Sequence, residues 1–485
     1  MPGSLDSLRS RADTVVGDGI EAAVRAKHRW RLRRLGSQAL TPSGDGLWAA
    51  GDPPPREGCS LEVLIDGAAA FAAITEAIER AHEFVFVTAW HLAPYFELVR
   101  GERRVGLGDL LAEAAERIDV RVLVWAGAPV PVFHPTRREV ADAVATLTRG
   151  TRIRCEIDPR EHPFHCHHEK TVVVDGETAF VGGIDMTDYA GDRYDTLDHP
   201  ARRRLGWHDV AARVRGPAVA DVQDHFALRW RELTADELPR TSAPGPAGDE
   251  VVQVVRTISD GMYESVPRGD FRILESYVRA IRSARSFVYL ENQFLWSPEV
   301  VALLADKLRR PPSTEFRIVV VLPARANNGQ DDTSGQLGVL VSADDGAGRL
   351  LAATVRSLSG HRDDRLYVHA KVGIVDDRWL TIGSANLNAH SLLNDTEMNV
   401  VTTDPDLVRD TRLRLWSEHL GVDLAELAQE QPSTVVDERW RPIAAEQLRR
   451  LQGGLPPSHR LLALPGVSRR SRRLLGPLVG LIDDG

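Results

Sequence analysis

The sequence predicts an α/β protein built from two similar halves, and three observations carry that prediction. The pattern H-x-K-x4-D occurs twice, as His168, Lys170 and Asp175 and again as His369, Lys371 and Asp376. Each copy is set among β-forming residues, Val368, Val372, Ile374 and Val375 around the second, so each histidine and its lysine are expected on one face of a strand. The segments before the motifs also recur in order. Phe84–Trp90 (FVFVTAW) matches Phe287–Phe294 (FVYLENQF), and Val120–Ala126 matches Phe316–Pro323, with offsets of 196–203 residues. Three matches at a near-constant offset mark an internal duplication.

In chain order, residues 1–58 read as a helix and a linker. Leu5, Leu8, Val15, Val16, Ile20 and Val24 keep helical spacing, interrupted at Gly17 and Gly19. Lys27–Leu35 is a basic amphipathic stretch that fits either a bilayer surface or the protein body. Thr41–Gly58, rich in Gly and Pro, reads as a linker. The first lobe spans 59–240, with a helix over Phe71–Arg80, strands at Phe84–Trp90 and Arg121–Trp125, the first motif, and a helix ending near Trp230. Thr241–Gly248 links it to the second lobe, 241–430. There the helix Phe271–Arg285 and the strands repeat, Asn327–Gly335 reads as a loop, and the second motif follows. Asp376-Asp377-Arg378 makes a turn, Trp379–Ile382 a strand, and Gly383–Asn386 a helix start whose free N–H groups favour an anion. Residues 431–485 form a basic extension.

The charge is −9 overall but unevenly spread: +4 over residues 1–35, +4 over 431–485 and −17 between. Such an acidic body argues against a long polyanion across its face, while basic ends suit an anionic membrane surface. Three cysteines are too few for a disulfide framework. The first residues contain no apolar signal core and no apolar run reaches membrane-spanning length, so the expected location is the cytoplasm, with peripheral membrane contact.

A histidine, a lysine and a Ser/Asn pair are the parts of a phosphate site, and a second copy makes accident improbable. The paired motifs, with Gly206–Val210 (GWHDV), Gly182-Gly183-Ile184-Asp185, Tyr289–Phe294 (YLENQF) and Arg229-Trp230, resemble the phospholipase D superfamily, in its eukaryotic-type branch, over roughly residues 60–430. The resemblance implies two lobes, each a mixed β-sheet flanked by helices, about a pseudo-twofold axis, with one motif from each in a single site. One chain then needs no dimer and no cofactor. It implies a phospholipid substrate and a phosphohistidine intermediate, with His168 as nucleophile and His369 as acid/base. Lys170 and Lys371 would neutralise nonbridging oxygens, with Ser384 and Asn386 as phosphate hydrogen-bond donors. Asp209 and Glu397 are the candidate acids that orient the imidazoles. Asp175 and Asp376, although part of the catalytic motif, are expected to hold the turns between strands.

The copies differ where Gly183 faces Ser384 and Asp185 faces Asn386. Asp185, with Trp207 or the Tyr189–Tyr194 loop, is a candidate for a cationic headgroup, or else a helix cap. His162, His165, Cys166 and His167 crowd the first motif, but they lack a matching cysteine pair, and no metal is expected. Hydrolysis of glycerophospholipids to phosphatidic acid, with transphosphatidylation, is the leading reading. A cardiolipin synthase-like phosphatidyltransferase is the nearest rival, ahead of a nuclease or a non-enzymatic scaffold.

Overall fold

A computed structural model of the chain describes residues 3–130, 133–161, 165–187, 206–238, 243–325, 330–358, 366–464 and 466–467. The runs of β-branched and aromatic residues become, among the described residues, seven strands of the main sheet in the first lobe. They are β1 (Arg56–Ile65), β2 (Phe84–Ala89), β3 (Asp119–Trp125), β4 (Arg154–Asp158), β5 (Thr171–Val174), β6 (Thr178–Gly182) and β7 (Val210–Arg215). Seven more follow in the second: β8 (Glu250–Ile258), β9 (Phe287–Glu291), β10 (Arg317–Val321), β11 (Leu350–Val355), β12 (Val372–Val375), β13 (Trp379–Gly383) and β14 (Glu397–Thr402). Spatial order is β1-β7-β6-β5-β2-β3-β4 in one lobe and β8-β14-β13-β12-β9-β10-β11 in the other. The two orders are identical once seven is added to each number. In each lobe the last three strands pair in parallel and the rest are antiparallel.

The lobes share one sheet, because β1 and β8 pair antiparallel through Arg56 with Val252 and Cys59 with Glu250. One face carries a core common to both lobes, in which Phe226 and Trp230 of helix Ala218–Thr234 and Trp416 of helix Pro405–Leu420 are buried. Strand alternation sends Phe84 and Phe86 to this face and Val85 and Val87 to the other. On that other face each lobe has its own core, under helices Asp66–Glu79 and Leu107–Ala115 in one and Arg272–Ser283 and Pro298–Arg309 in the other. Helix starts follow local chemistry: Ser297 and Asp404 accept from the Val300 and Leu407 amides, each with proline at the first turn.

Several boundaries differ from expectation. Gly17 and Gly19 do not interrupt the first helix, which runs Gly3–Arg34. It docks on the second lobe: Leu32 is buried, His28 Nδ1 is 2.8 Å from Glu299, and Arg31 reaches Asp260, Ser259 and Asn394. Trp30 stays exposed. Residues 330–335, expected in a loop, begin the helix Gln330–Asp344. Residues 431–464 are packed rather than appended, with Trp440 buried against Trp416 and Tyr289 and a strand β15 (Leu461–Ala463) on the β11 edge. Among the described residues, no helix is long and apolar enough to cross a membrane. The Tyr189–Tyr194 loop, His162 and the tail beyond Val467 lie outside the described residues.

Candidate active site

The motif histidines occupy breaks in the strands rather than the strands themselves. Leu366–Val368 is a short strand of its own, and His369 and Lys371 fall between it and β12. That short strand runs parallel to Gly206–His208 of the other lobe. A single parallel bridge joins His167 to Thr396 in the mirrored place. At each crossing the histidine amide donates across the lobe boundary, His168 N to Thr396 O at 2.9 Å and His369 N to His208 O at 2.8 Å. The residue after each acceptor is an acid.

The acids therefore serve the opposite lobes. Glu397 Oε1 lies 3.0 Å from His168 Nδ1, with Oε2 at 3.2 Å and the Ser384 carbonyl also at 3.2 Å. Asp209 Oδ2 lies 2.6 Å from His369 Nδ1. A carboxylate only accepts, so each Nδ1 carries its proton toward the acid, and Nε2 is left on the far side of the ring. His168 has a side chain 13% exposed against 4% for His369, so His168 is the more open ring. Trp90 meets His168 edge-on at 6.3 Å, and Trp207 packs on His369 at 4.0 Å.

The remaining predicted residues divide. Lys170 and Lys371 are buried beside their histidines, each ammonium donating to the carbonyl of the histidine two residues back. Lys371 also lies 3.4 Å from Gln293 Oε1. Asp185 is buried with a carboxylate oxygen 3.5 Å from Lys170 Nζ, so it balances that lysine; the segment that it would cap, from residue 188, lies outside the described residues. Trp207 is 2% exposed and covered by His369 and Tyr367; its ring supports the imidazole and does not present an open face to a headgroup.

Ser384 also has a different task from the one expected. Its hydroxyl donates to Glu397 and accepts from the Met398 amide at 3.1 Å, so it braces the acid instead of facing phosphate. Nor does a helix start there. The helix begins at Ala389, and the Ser384, Ala385 and Leu387 amides are spent on Met398 O, Asn399 Oδ1 and Asn292 Oδ1. Asn386 is buried, and its Oδ1 has no hydrogen-bond partner among the described residues. Asp175 and Asp376 are not in the site. Asp175 accepts from the His82, Glu83 and Phe84 amides, and Asp376 from those of Arg285, Ser286 and Phe287. Both sit at positive φ at the far ends of β5 and β12, where they tie the motif turn to the start of the neighbouring strand.

Beneath each half-site is a buried polar network whose roles sequence reasoning missed. In one, Glu291 meets His208 Nε2 at 2.8 Å and His419 Nε2 at 2.5 Å, with the Tyr289 hydroxyl also donating to it. His208 Nδ1 meets Asp66 at 2.9 Å, and Asp66 accepts from the Asp209 amide at 3.1 Å. Burial opposes charge on His208, but Glu291 and Asp66 raise its pKa well above the ordinary histidine value. In the other, Glu169 accepts from His225 and Arg229, and Arg229 reaches Asp158. Burial works against the Glu169 carboxylate, yet His225 and the Arg229 guanidinium beside it lower its pKa to about 2. Removing one partner from such a buried pair costs roughly 3–5 kcal/mol. Glu291, His208 and Arg229 stand in the segments that carried the family resemblance, but nothing in their spacing told which partner each would meet.

Comparison with known proteins identifies the family and the fold. Residues 77–206 match the family model described as phospholipase D, and residues 277–417 match that described as cardiolipin synthase, PLD-like domain, one per lobe. Phospholipase D A of Dictyostelium discoideum is 28% identical over 76% of this chain and 36% of its own length. Phospholipase D alpha 4 of Arabidopsis thaliana is 24% identical over 79% and 67%, and phospholipase D2 of Bos taurus 26% over 73% and 50%. The chain thus spans between about a third and two-thirds of these relatives. Among solved structures, phosphatidylserine synthase of Haemophilus influenzae Rd KW20 shares the fold at a TM-score of 0.50 and 14% identity, over 81% of this chain and 94% of that one. Two matched domains and a duplicated fold with one motif histidine in each half make this chain a member of the phospholipase D superfamily.

Proposed function

We propose that the chain is a phospholipase D-type phosphodiesterase that converts glycerophospholipids to phosphatidic acid and a free headgroup. The observation that carries this reading is the crossed pair of imidazoles, each fixed through Nδ1 by a buried carboxylate of the other lobe. That arrangement readies one Nε2 as a nucleophile and the other as a proton donor.

In the first step His168 Nε2 attacks phosphorus and a P–N bond forms. The P–O bond to the headgroup breaks, and His369, entering as the imidazolium, gives its Nε2 proton to the leaving alkoxide. In the second step His369 Nε2 takes a proton from water, whose oxygen attacks phosphorus as the P–N bond breaks. Phosphatidate leaves, and both rings regain their starting states. Lys170, Lys371 and the Asn386 amide hold the nonbridging oxygens, and Asp209 and Glu397 stabilise each imidazolium as it forms. The more open position of His168 supports its assignment as nucleophile.

An alcohol in place of water would give transphosphatidylation. The match of the second lobe to the cardiolipin synthase model favours a phosphatidyltransferase as the second reading. Exposed Trp30, with Arg34 against its ring, supports peripheral contact with a lipid surface. Both half-sites lie in one chain, so a monomer is sufficient.

The test supplies purified protein with phosphatidylcholine or phosphatidylethanolamine vesicles, with and without a primary alcohol. Phosphatidic acid and phosphatidylalcohol are the expected products, and His168→Ala and His369→Ala should each abolish them. Wild-type protein that releases neither product, or retained activity in either variant, would defeat the reading.

A further inference from the structure

His165, His390 and Asp395 form a second cluster at the lobe boundary, apart from the two motif imidazoles. His165 lies three residues before His168, while His390 and Asp395 come from the short helix Ala389–Leu393 and its exit. The two Nδ1 atoms are 3.0 Å apart, and His165 Nδ1 is 3.4 Å from Asp395 Oδ1. All three donor atoms lie within 4.8 Å of one another. His390 and Asp395 are each 2% exposed, whereas the His165 side chain is 17% exposed. The cluster is held firmly. Asp395 Oδ1 accepts from the Cys166 amide at 3.0 Å, the Asn394 and Asp395 amides donate to His390 O, and Trp296 packs 6.0 Å from the His390 ring.

A buried carboxylate facing two imidazoles calls for a positive charge. A divalent ion would supply one. Around a tetrahedral ion with bonds of about 2.0–2.2 Å, neighbouring donor atoms stand roughly 3.3–3.5 Å apart. The separations of 3.0 and 3.4 Å are close to that spacing.

We propose that His165 Nδ1, His390 Nδ1 and Asp395 Oδ1 bind a divalent transition cation of the zinc class, which clamps the lobes together beside the phosphoryl-transfer site without entering the chemistry. Two imidazoles and one carboxylate suit Zn2+ better than Mg2+ or Ca2+, which prefer oxygen ligands. The partly exposed side of His165 gives the ion its entry path and a fourth, water-filled position. Only neutral imidazoles coordinate, so affinity rises with pH. Local spacing hides the site, because His390 follows His165 by 225 residues.

The test titrates the full chain with Zn2+ against a chromogenic chelator, and with Co2+ as a spectroscopic probe. Wild type should take up one equivalent, show the visible absorption of a tetrahedral Co2+ site, and unfold at a higher temperature with Zn2+ present. His390→Ala, Asp395→Asn and His165→Ala should each lose about 100-fold or more in affinity, beyond the cost of an outer-shell change. His165→Ala, at a partly exposed link, keeps the comparison valid should a buried variant misfold. Folded wild type that takes up no Zn2+, or uptake unchanged in the variants, would overturn the proposal and leave a proton-sharing histidine pair only.

Discussion

In the second lobe Glu397 is braced by the Ser384 hydroxyl, whereas in the first the same position is Gly183 and the acid is the shorter Asp209. A Cβ at Gly183 would stand 2.3 Å from Asp209 Oδ1 and 3.1 Å from Lys371 Cδ. The longer acid takes a neighbouring side chain and the shorter one needs an empty place. A similar exchange occurs at the strand exits, where Trp90 borders His168 and Gln293, in the matching position, approaches Lys371. The duplicated backbone fixes where the imidazoles go, and side chains that differ between copies set how each is held. Two rings with different tasks need unequal surroundings, and these substitutions supply them.

The sharpest way to break the comparison is to neutralise the acids separately. Asp209→Asn and Glu397→Gln keep shape but no longer secure the Nδ1–H tautomer, and each should lower kcat by about 10^3–10^4-fold, with KM little changed. Steady-state kinetics of both variants decide it; one tolerated acid would show that the crossed bracing is dispensable on that side. Gly183→Ala should come next, with a loss of about 10^2-fold from displacing Asp209 and crowding Lys371. Ser384→Ala should lose only about tenfold, the worth of one hydrogen bond to a charged group. If Ser384→Ala proved worse than Gly183→Ala, Ser384 would have a direct part at phosphate after all.

The smallest effects concern pH and stability. With its pKa raised above the ordinary value of 6.5, His208 contributes stability that is complete below pH 6.5 and is lost as pH rises toward the raised value. His208→Gln should therefore flatten the alkaline side of the profile of thermal midpoint against pH. Glu418 contributes a pH slope of the same sign. Burial first, and then Asp66, push its carboxyl from 4.5 up to about 7, so the native state loses stability as pH rises through that interval. Glu418→Gln should raise the midpoint at pH 8 relative to pH 5, and an unchanged difference would remove Glu418 from the account.

The sheet strands were legible because they are dense in Val, Ile and aromatic residues, and the duplication was legible from their order. His168, Lys170, His369 and Lys371 were named from the duplicated motif, and Asp209 and Glu397 from the matching segments that follow it. What local pattern could not show was partnership. Glu397 reaches His168 across 229 residues and Asp209 reaches His369 across 160, so the crossing belongs to tertiary structure alone. The supposed helix at Gly383 failed because tertiary partners, Met398 O and the Asn399 and Asn292 side chains, claim the amides that would have started it. Ser384 looked like a phosphate ligand because its residue type permits that role, and only its contact with Glu397 shows another.

The exchange of acids across the boundary makes the two rings one instrument. A small slide or rotation of either lobe would pull Glu397 from His168 and Asp209 from His369 in the same movement. Nucleophile and proton donor would then be mistuned together, with no intermediate setting in which one works and the other idles.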